Sequence, residues 1–288
     1  MARYVTLLLA LLASIGAFAS PLGPDGDAGR RLPGKFIWLD LATQNVTSSR
    51  AFYGAVFNWK FHDVPGAPAS YTIIENDSGK VAGMFRHIAN AGTLHARWLA
   101  LLSVTDASAA AQFVRASGGQ VLLPPRNVPG RGTHAVFRDP DGALFGVLAS
   151  EGGDPADTPV EDGDVFWLDL FAPAPAKAAA FYAAVAGYDV DVGDVAGRAR
   201  TLLSTDGIAR AGIAHMPAGA SRPAWLAYVL VDDVPATLER ALKAGGKVIM
   251  APRADLLDGN LAVIADREGG VIGIVNWTGD VAPQGSAR

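Results

Sequence analysis

The chain has no cysteine among its 288 residues, which excludes disulfides, thiolate metal sites and cysteine nucleophiles together. Charge is also scarce. Only 18% of residues are charged, and 28 acidic against 24 basic residues leave a formal net charge of -4, so no basic footprint for nucleic acid is present. The five histidines, His62, His87, His95, His134 and His215, show neither an i, i+4 pair nor an HExxH pattern, and GxSxG is missing as well. Long apolar runs are nearly absent. The exception is Tyr4 to Ala19, broken only by Thr6, Ser14 and Gly16; it follows the basic start Met1-Ala2-Arg3 and ends in Ala17-Phe18-Ala19. That pattern predicts a secretory signal over residues 1–19 and an exported protein, periplasmic or extracellular. The run is shorter than the ~20 residues of a spanning helix. An uncleaved anchor is the alternative, and no stable membrane insertion is expected once the signal is removed.

What the chain does contain is repetition. Phe36-Ile37-Trp38-Leu39-Asp40-Leu41 returns as Val165-Phe166-Trp167-Leu168-Asp169-Leu170, and Phe52-Tyr53 returns as Phe181-Tyr182, both at an offset of 129. Later the offset is 127, pairing Trp98 with Trp225, Asp106 with Asp233, Arg126 with Arg253, Asp139 with Asp266 and Gly146 with Gly273. Similarity held in register over this length marks a duplicated domain. With 50% apolar residues, each copy is large enough for its own core. The expected order is a signal peptide at 1–19, a flexible N-terminal segment at 20–34, and a first domain at 35–150. An acidic Pro/Gly linker at 151–163, a second domain at 164–278 and a loose tail at 279–288 follow.

Within the first copy, alternation predicts a strand from Phe36 to Leu41, and a helical stripe over Val46 to Phe57 is capped by Asn45 or Thr47. Short strands are expected at 60–63, 71–74 and 81–86. A second strand starts at Trp98, and Thr105 or Asp106 caps a second helix that ends at Gly118-Gly119. Strands at 121–123, 133–138 and 144–148 close the copy, with Asp139-Pro140-Asp141-Gly142 as the turn between the last two. The fold class is α+β, with each domain built from two βαβββ modules that form a curved mixed sheet around a cavity.

These motifs resemble the vicinal oxygen chelate superfamily, which includes glyoxalase I, extradiol dioxygenases and bleomycin-resistance proteins. The resemblance rests on the capped helix with Phe52-Tyr53, on Val104-Thr105-Asp106 and on Phe137 to Ala143, and it covers nearly all of 35–150 and 164–277. It implies a metal held by His, Glu or Gln on the concave face. Carried over by register, those ligand positions fall on Trp38, Leu99, Gly146 and a residue near Met84. In the second copy they fall on Trp167, Leu226, Gly273 and approximately Ile213. None can bind a divalent cation, nor can the neighbours one residue away, so no metal and no other cofactor is expected.

Strand alternation places Asp40 beside Trp38 on the cavity face, and Asp169 beside Trp167. A carboxylate among apolar strand residues is costly unless paired. It is either an anchor beside an aromatic wall or a structural acid that caps loop amides. Arg126 and Arg253, each after a proline, are expected at a cavity mouth or as ordinary rim residues. Arg97, Leu99, His134 and Tyr228 complete the candidate ligand-binding set. Ala224 replaces Arg97 in the second copy and Leu101 replaces Tyr228 in the first, so two cavities would not bind identically. No catalytic residue is assigned.

The expected function is metal-independent binding of a small hydrophobic or aromatic compound, on the pattern of the bleomycin-resistance proteins. The alternatives are a metal-dependent lyase, isomerase or dioxygenase with a displaced metal site, and a structural or interaction protein with filled cavities. The expected partner is a small-molecule ligand rather than nucleic acid, and a monomer with paired domains is consistent with the duplication.

Overall fold

The computed structural model describes residues 22–27, 29–67, 71–87, 95–195 and 198–277. The expected signal (1–19) and tail (279–288) lie outside them. Among the described residues no helix is long and apolar enough to cross a membrane. The first domain runs β1 (Phe36–Thr43), α1 (Val46–Phe57), β2 (Lys60–Asp63), β3 (Thr72–Asn76) and β4 (Gly79–Arg86). It continues with β5 (Arg97–Ser103), α2 (Ala107–Ala116), β6 (Gln120–Val128), β7 (Gly132–Arg138) and β8 (Leu144–Ser150). The second repeats it as β9 (Val165–Ala172), α3 (Pro175–Ala186), β10 (Asp189–Val195), β11 (Arg198–Thr205) and β12 (Ile208–His215). Then come β13 (Ala224–Leu230), α4 (Val234–Lys243), β14 (Lys247–Met250), β15 (Leu261–Ala265) and β16 (Val271–Val275). Each copy is one open eight-stranded mixed sheet, ordered β2-β3-β4-β1-β5-β8-β7-β6 and β10-β11-β12-β9-β13-β16-β15-β14. The fold is α+β, two tandem domains of paired βαβββ modules.

Local chemistry sets the element ends. Asn45 Oδ1 accepts from Ser48 N at 3.1 Å and starts α1. Asp106 Oδ1 accepts from Ser108 N and Ala109 N at 2.7 and 3.2 Å and starts α2. The third helix has no side-chain cap and begins instead on Pro175, whose fixed φ suits the first turn. Asn58 (φ 57°) and Gly187 (φ 75°) end α1 and α3 at equivalent positions in the left-handed region that asparagine and glycine tolerate. Sequence patterning stops β6 at residue 123, but the strand continues through Pro124 and Pro125 to Val128. It lies at the sheet edge, where a missing ladder donor is harmless, and bulges at Val121/Leu123 and Leu123/Arg126 absorb the prolines.

The sheets have two distinct faces. Leu39, Leu41, Met84 and Ala100 lie on the face that packs against the helices, whereas Trp38 belongs to a separate cluster on the other face. The helix-side faces of the two domains meet. One shared core joins Phe52, Tyr53 and Val56 of α1 to Val229, Val234, Ile264, Ile272 and Ile274 of the second domain. The other joins Phe181 and Tyr182 of α3 to Val114, Phe137, Phe145 and Val147 of the first.

Polar bonds repeat this reciprocity. Tyr182 Oη donates to Asp139 Oδ2 at 3.1 Å and accepts from Trp225 Nε1 at 2.9 Å. Across the pseudo-twofold, Tyr53 Oη donates to Gly270 O at 3.3 Å and accepts from Trp98 Nε1 at 3.0 Å, while Ser49 Oγ donates to Asp266 Oδ2 at 3.0 Å. The free Oδ1 of each aspartate holds its own turn, for example Asp139 with the amides of Gly142 and Ala143 at 2.7 and 2.8 Å. Thus the Phe-Tyr and Asp-turn motifs of one copy are the docking elements for the other. Burial, then the nearby aspartate, pushes both tyrosine hydroxyls well above their ordinary pKa, so they stay protonated donors.

The connecting segments are bound rather than loose. Of the segment 20–34, expected to be flexible, the described residues 22–27 and 29–34 are tied to the linker: Asp154 Oδ2 accepts from Leu32 N at 2.6 Å and Ser103 Oγ at 2.5 Å, and Asp27 N donates to Asp154 O at 3.1 Å. Leu22 is buried against the first sheet. A short polar lead-in reads as loose by composition, yet its amides find acceptors once the linker lies alongside. Asp157 of the linker joins Arg210 Nη1 at 2.5 Å to Lys35 Nζ at 3.0 Å, one cation from each domain.

Two expectations follow. Tyr182→Phe leaves the buried Asp139 Oδ2 and Trp225 Nε1 without this partner and lowers stability by about 1–3 kcal/mol, read as a lower urea midpoint with an unchanged m value. The Arg210 hydrogen bond, then Lys35, holds the Asp157 carboxyl down to about 2 from its ordinary 3.8. Its contribution is complete above that ordinary value and is lost as pH falls through about 2. Asp157→Asn therefore destabilises at pH 7, and the gap between variant and parent closes across that acid window in thermal melts.

Candidate functional site

In the first domain the face carrying Trp38 is closed. Asp40 Oδ1 accepts from Trp38 Nε1 at 3.0 Å and from Tyr71 Oη at 2.6 Å. Arg131 Nη2 donates to Asp40 Oδ2, and Arg131 Nη1 donates to Tyr71 Oη at 2.9 Å and Leu22 O at 3.0 Å. All five residues are buried, with Arg131 5% and Asp40 6% exposed. Burial alone would lower the arginine pKa, but Asp40 and Tyr71 raise it, so the guanidinium stays charged. His134 lies beside this network, 5% exposed, and its buried Nδ1 has no hydrogen-bond partner among the described residues. Burial, then Arg131, pushes the imidazole pKa down to about 3, which keeps it neutral at physiological pH. Asp40 and Trp38 are thus bonded to each other and to Tyr71 and Arg131 within a buried network.

The second domain repeats the aspartate and changes its partners. Trp167 Nε1 donates to Asp169 Oδ1 at 3.0 Å, as in the first copy. Tyr71 is replaced at the offset of 129 by Arg200, whose Nη1 lies 3.0 Å from Asp169 Oδ2. Leu101 is replaced by Tyr228, whose hydroxyl lies near Asp169. Arg131 falls opposite Asp258, so the second copy has no arginine at that position. The ion contact at Arg200 does not meet hydrogen-bond geometry. Its Nε and Nη1 are buried donors with no acceptor among the described residues. Burial raises the Asp169 carboxyl against the opposing pull of Arg200. This face opens onto a cleft of about 1740 Å³, lined by Arg200, Leu226, Tyr228, Met250, Leu261 and Val263 among others.

The donor set does not fit the metal that the fold family implies. Register places Gly83 against Asp40 and Gly212 against Asp169, so the fourth ligand position belongs to these glycines. Met84 and Ile213, the sequence-derived choices, pair with Leu41 and Leu170 and face the helix side, a one-residue correction that supplies no donor. At the last-strand position, a Cβ on Gly146 would lie 2.5 Å from Leu101 Cδ2, and one on Gly273 would lie 2.1 Å from Tyr228 Cδ1. Glycine there makes room for the neighbouring side chain, and a glutamate would displace it. Among the described residues no three of His, Asp or Glu converge on one point.

Other sequence-derived candidates disperse. Leu99 packs with Leu123 and Val136 in the first domain. Arg126 is half-buried on β6, opposite His134. Arg97, expected to face the first cavity, instead lines the cleft shared with the second domain, as does Arg253, which pairs with Asp255 at 2.8 Å. Trp167, Asp169 and Tyr228 do share the second face. Sequence reasoning missed Tyr71, Arg131 and Arg200. For Arg200 a signal existed, because it stands two residues before Leu202, the partner of Gly212 and so of Asp169. Arg131 had none, since it reaches Asp40 from a turn 91 residues away.

The two arginines should respond differently to removal. Arg131→Met leaves Asp40 buried and uncompensated and costs about 3–5 kcal/mol. Arg200→Met costs less, because the carboxyl of Asp169 is already pushed toward its neutral form and sits beside an open cleft. Urea unfolding of both variants at pH 7 checks the order.

Comparison with known proteins agrees with this architecture. The Glyoxalase/Bleomycin resistance protein/Dioxygenase superfamily matches residues 35–147, and the glyoxalase-like domain matches residues 166–275. The anthracycline biosynthesis protein DnrV of Streptomyces peucetius is 31% identical over 265 residues, covering 83% of this chain and 96% of that protein. Among solved structures, the Mn(II)-bound glyoxalase of Novosphingobium aromaticivorans superposes with a TM-score of 0.56 at 18% identity, covering 85% of this chain and 82% of that one. The 2,3-dioxygenase LapB of Pseudomonas sp. KL28 gives 0.54 at 14% identity, covering 92% and 96%. These two likenesses concern the fold alone. With both halves matched in tandem and a relative aligned over nearly its full length, the chain belongs to the glyoxalase, bleomycin resistance protein and dioxygenase superfamily.

Proposed function

We propose that this protein binds a small hydrophobic or aromatic compound, without a metal ion, on the open face of its second domain, while the first domain is a closed structural copy. One observation carries the reading: the same buried aspartate is held by Tyr71 and the buried Arg131 in the first copy, but in the second it stands beside Arg200, which lines an open cleft. Arg200 lines the cleft with 14% of its side chain exposed, so the accessible part of its guanidinium offers a charged donor to an acceptor group on a ligand. Leu226, Leu261, Val263 and Tyr228 supply the apolar surface on which a flat body rests, in keeping with small-molecule sites that combine apolar walls with a few convergent polar groups. The relative named for anthracycline biosynthesis is consistent with an aromatic ligand class. Where the family resemblance implies a metal that polarises substrate oxygens, here Arg200, held beside Asp169, and Tyr228 orient the acceptor. Export remains part of the proposal and rests on the leader pattern of residues 1–19.

A neutral probe, 2-naphthamide, tests this by quenching of tryptophan fluorescence. Binding is expected to be unchanged by EDTA or by added Mn(II), and to weaken about tenfold in Arg200→Met, the loss of a hydrogen bond from a charged donor. Trp38→Ala should keep the affinity while lowering stability by about 3–5 kcal/mol. Binding that requires the metal, or that is lost with Trp38 and kept without Arg200, would sink the reading.

A further inference from the structure

Three more arginines face the same cleft: Arg97 at the start of β5, Arg138 at the end of β7, and Arg222 in the loop before β13. They come from both domains and meet only because the helix-side faces dock. None of the three has an ion pair with a carboxylate among the described residues. The acids of the neighbourhood are already engaged, Asp141 with Lys177 at 3.2 Å and Asp255 with Arg253 at 2.8 Å. Burial, then repulsion from Arg222 and Arg138, lowers the pKa of Arg97, as expected where like charges are held together.

Duplication does not account for them. The second-copy counterparts of Arg97 and Arg138 are Ala224 and Ala265, and the first-copy counterpart of Arg222 is His95. The counterparts His95 and Ala224 line this same cleft, so its positive charge comes from these three positions rather than from the repeat. Like charges gathered without counter-ions cost stability, which an anion would offset. Guanidinium groups match the planar or tetrahedral oxygens of carboxylate and phosphate.

We infer that Arg97, Arg138 and Arg222 form an oxyanion subsite, so that the ligand of the second domain carries an acidic group, carboxylate or phosphate, at the end of its apolar body. This deepens the proposed function and rests on it for the location of the body, though the anion contact stands on the arginines themselves. It divides the recognition into an apolar part over Leu226 and Tyr228 and a charged part at the domain junction.

The test compares 2-naphthamide with 2-naphthoate and 2-naphthyl phosphate in the full-length protein and in the Arg138→Gln/Arg222→Gln double variant. Both anions should bind about tenfold tighter than the amide at low salt, and that advantage should shrink with added salt and vanish in the variant. The tighter of the two identifies the acidic group. A circular dichroism melt of the variant, expected to match or exceed the parent because repulsion is relieved, separates lost binding from lost folding. Equal affinity for amide and anions, or an advantage that survives in the variant, overturns the inference and leaves the apolar reading intact. If the amide fails to bind but the variant abolishes naphthyl phosphate binding, the apolar reading falls and the anion subsite stands. Binding of none of the three probes overturns both.

Discussion

The buried tyrosine hydroxyl that crosses from one domain to the aspartate turn of the other is the contact on which the arrangement rests. Tyr182 reaches Asp139, and Tyr53 with Ser49 reaches the Asp266–Gly270 turn. Each tyrosine is also held by the tryptophan indole of its own domain, Trp225 or Trp98, so its ring has little freedom to turn away. These bonds are made in the middle of two shared apolar cores, where an unmet polar group is expensive. They fix how the sheets sit back to back. That docking turns the Trp38 and Trp167 faces outward and brings Arg97 and Arg138 to the same cleft as Arg222.

Duplication then allowed the two outward faces to diverge around one retained element, the tryptophan-aspartate pair. A buried carboxylate must be neutralised, and the copies do so differently. In the first, Tyr71 and Arg131 complete a network that Leu22 seals. In the second, arginine takes the place of Tyr71, tyrosine takes the place of Leu101, and the sealing arginine is absent. The result is one face whose aspartate and arginine are buried together and another whose arginine lines a cleft. The superfamily's ligand positions have gone to indole, leucine and glycine, and glycine at 146 and 273 admits Leu101 and Tyr228 where a ligating carboxylate would stand.

Much of this was legible in the chain. The Asn45 and Asp106 caps, the Asp139-Pro-Asp-Gly142 turn and the period-2 alternation of Phe36 to Leu41 are local signals, and the elements form where they point. The site was only partly legible. Trp167, Asp169 and Tyr228 were reachable by alternation, because strand parity assigns a face without knowing the neighbour. Arg97 keeps its expected parity, paired with Ala42 as Leu99 is with Asp40, yet lines the cleft shared with the second domain, because parity says which side of a sheet a residue takes, not which domain lies beyond its end. Residues 22–34 read as loose because composition does not reveal that Asp154 lies alongside.

The sequence by itself determined the duplication, the order of modules and the residue types at the former ligand positions, since each is written in spacing and alternation along one stretch of chain. Only the tertiary structure decided which face is closed and which is open. Arg131 comes to Asp40 from 91 residues away, and the three arginines of the cleft come from separate elements of two domains. Charge neutralisation and cleft formation act through space, so the partners of a buried acid are chosen by how the sheets pair and dock rather than by what precedes or follows it in the chain.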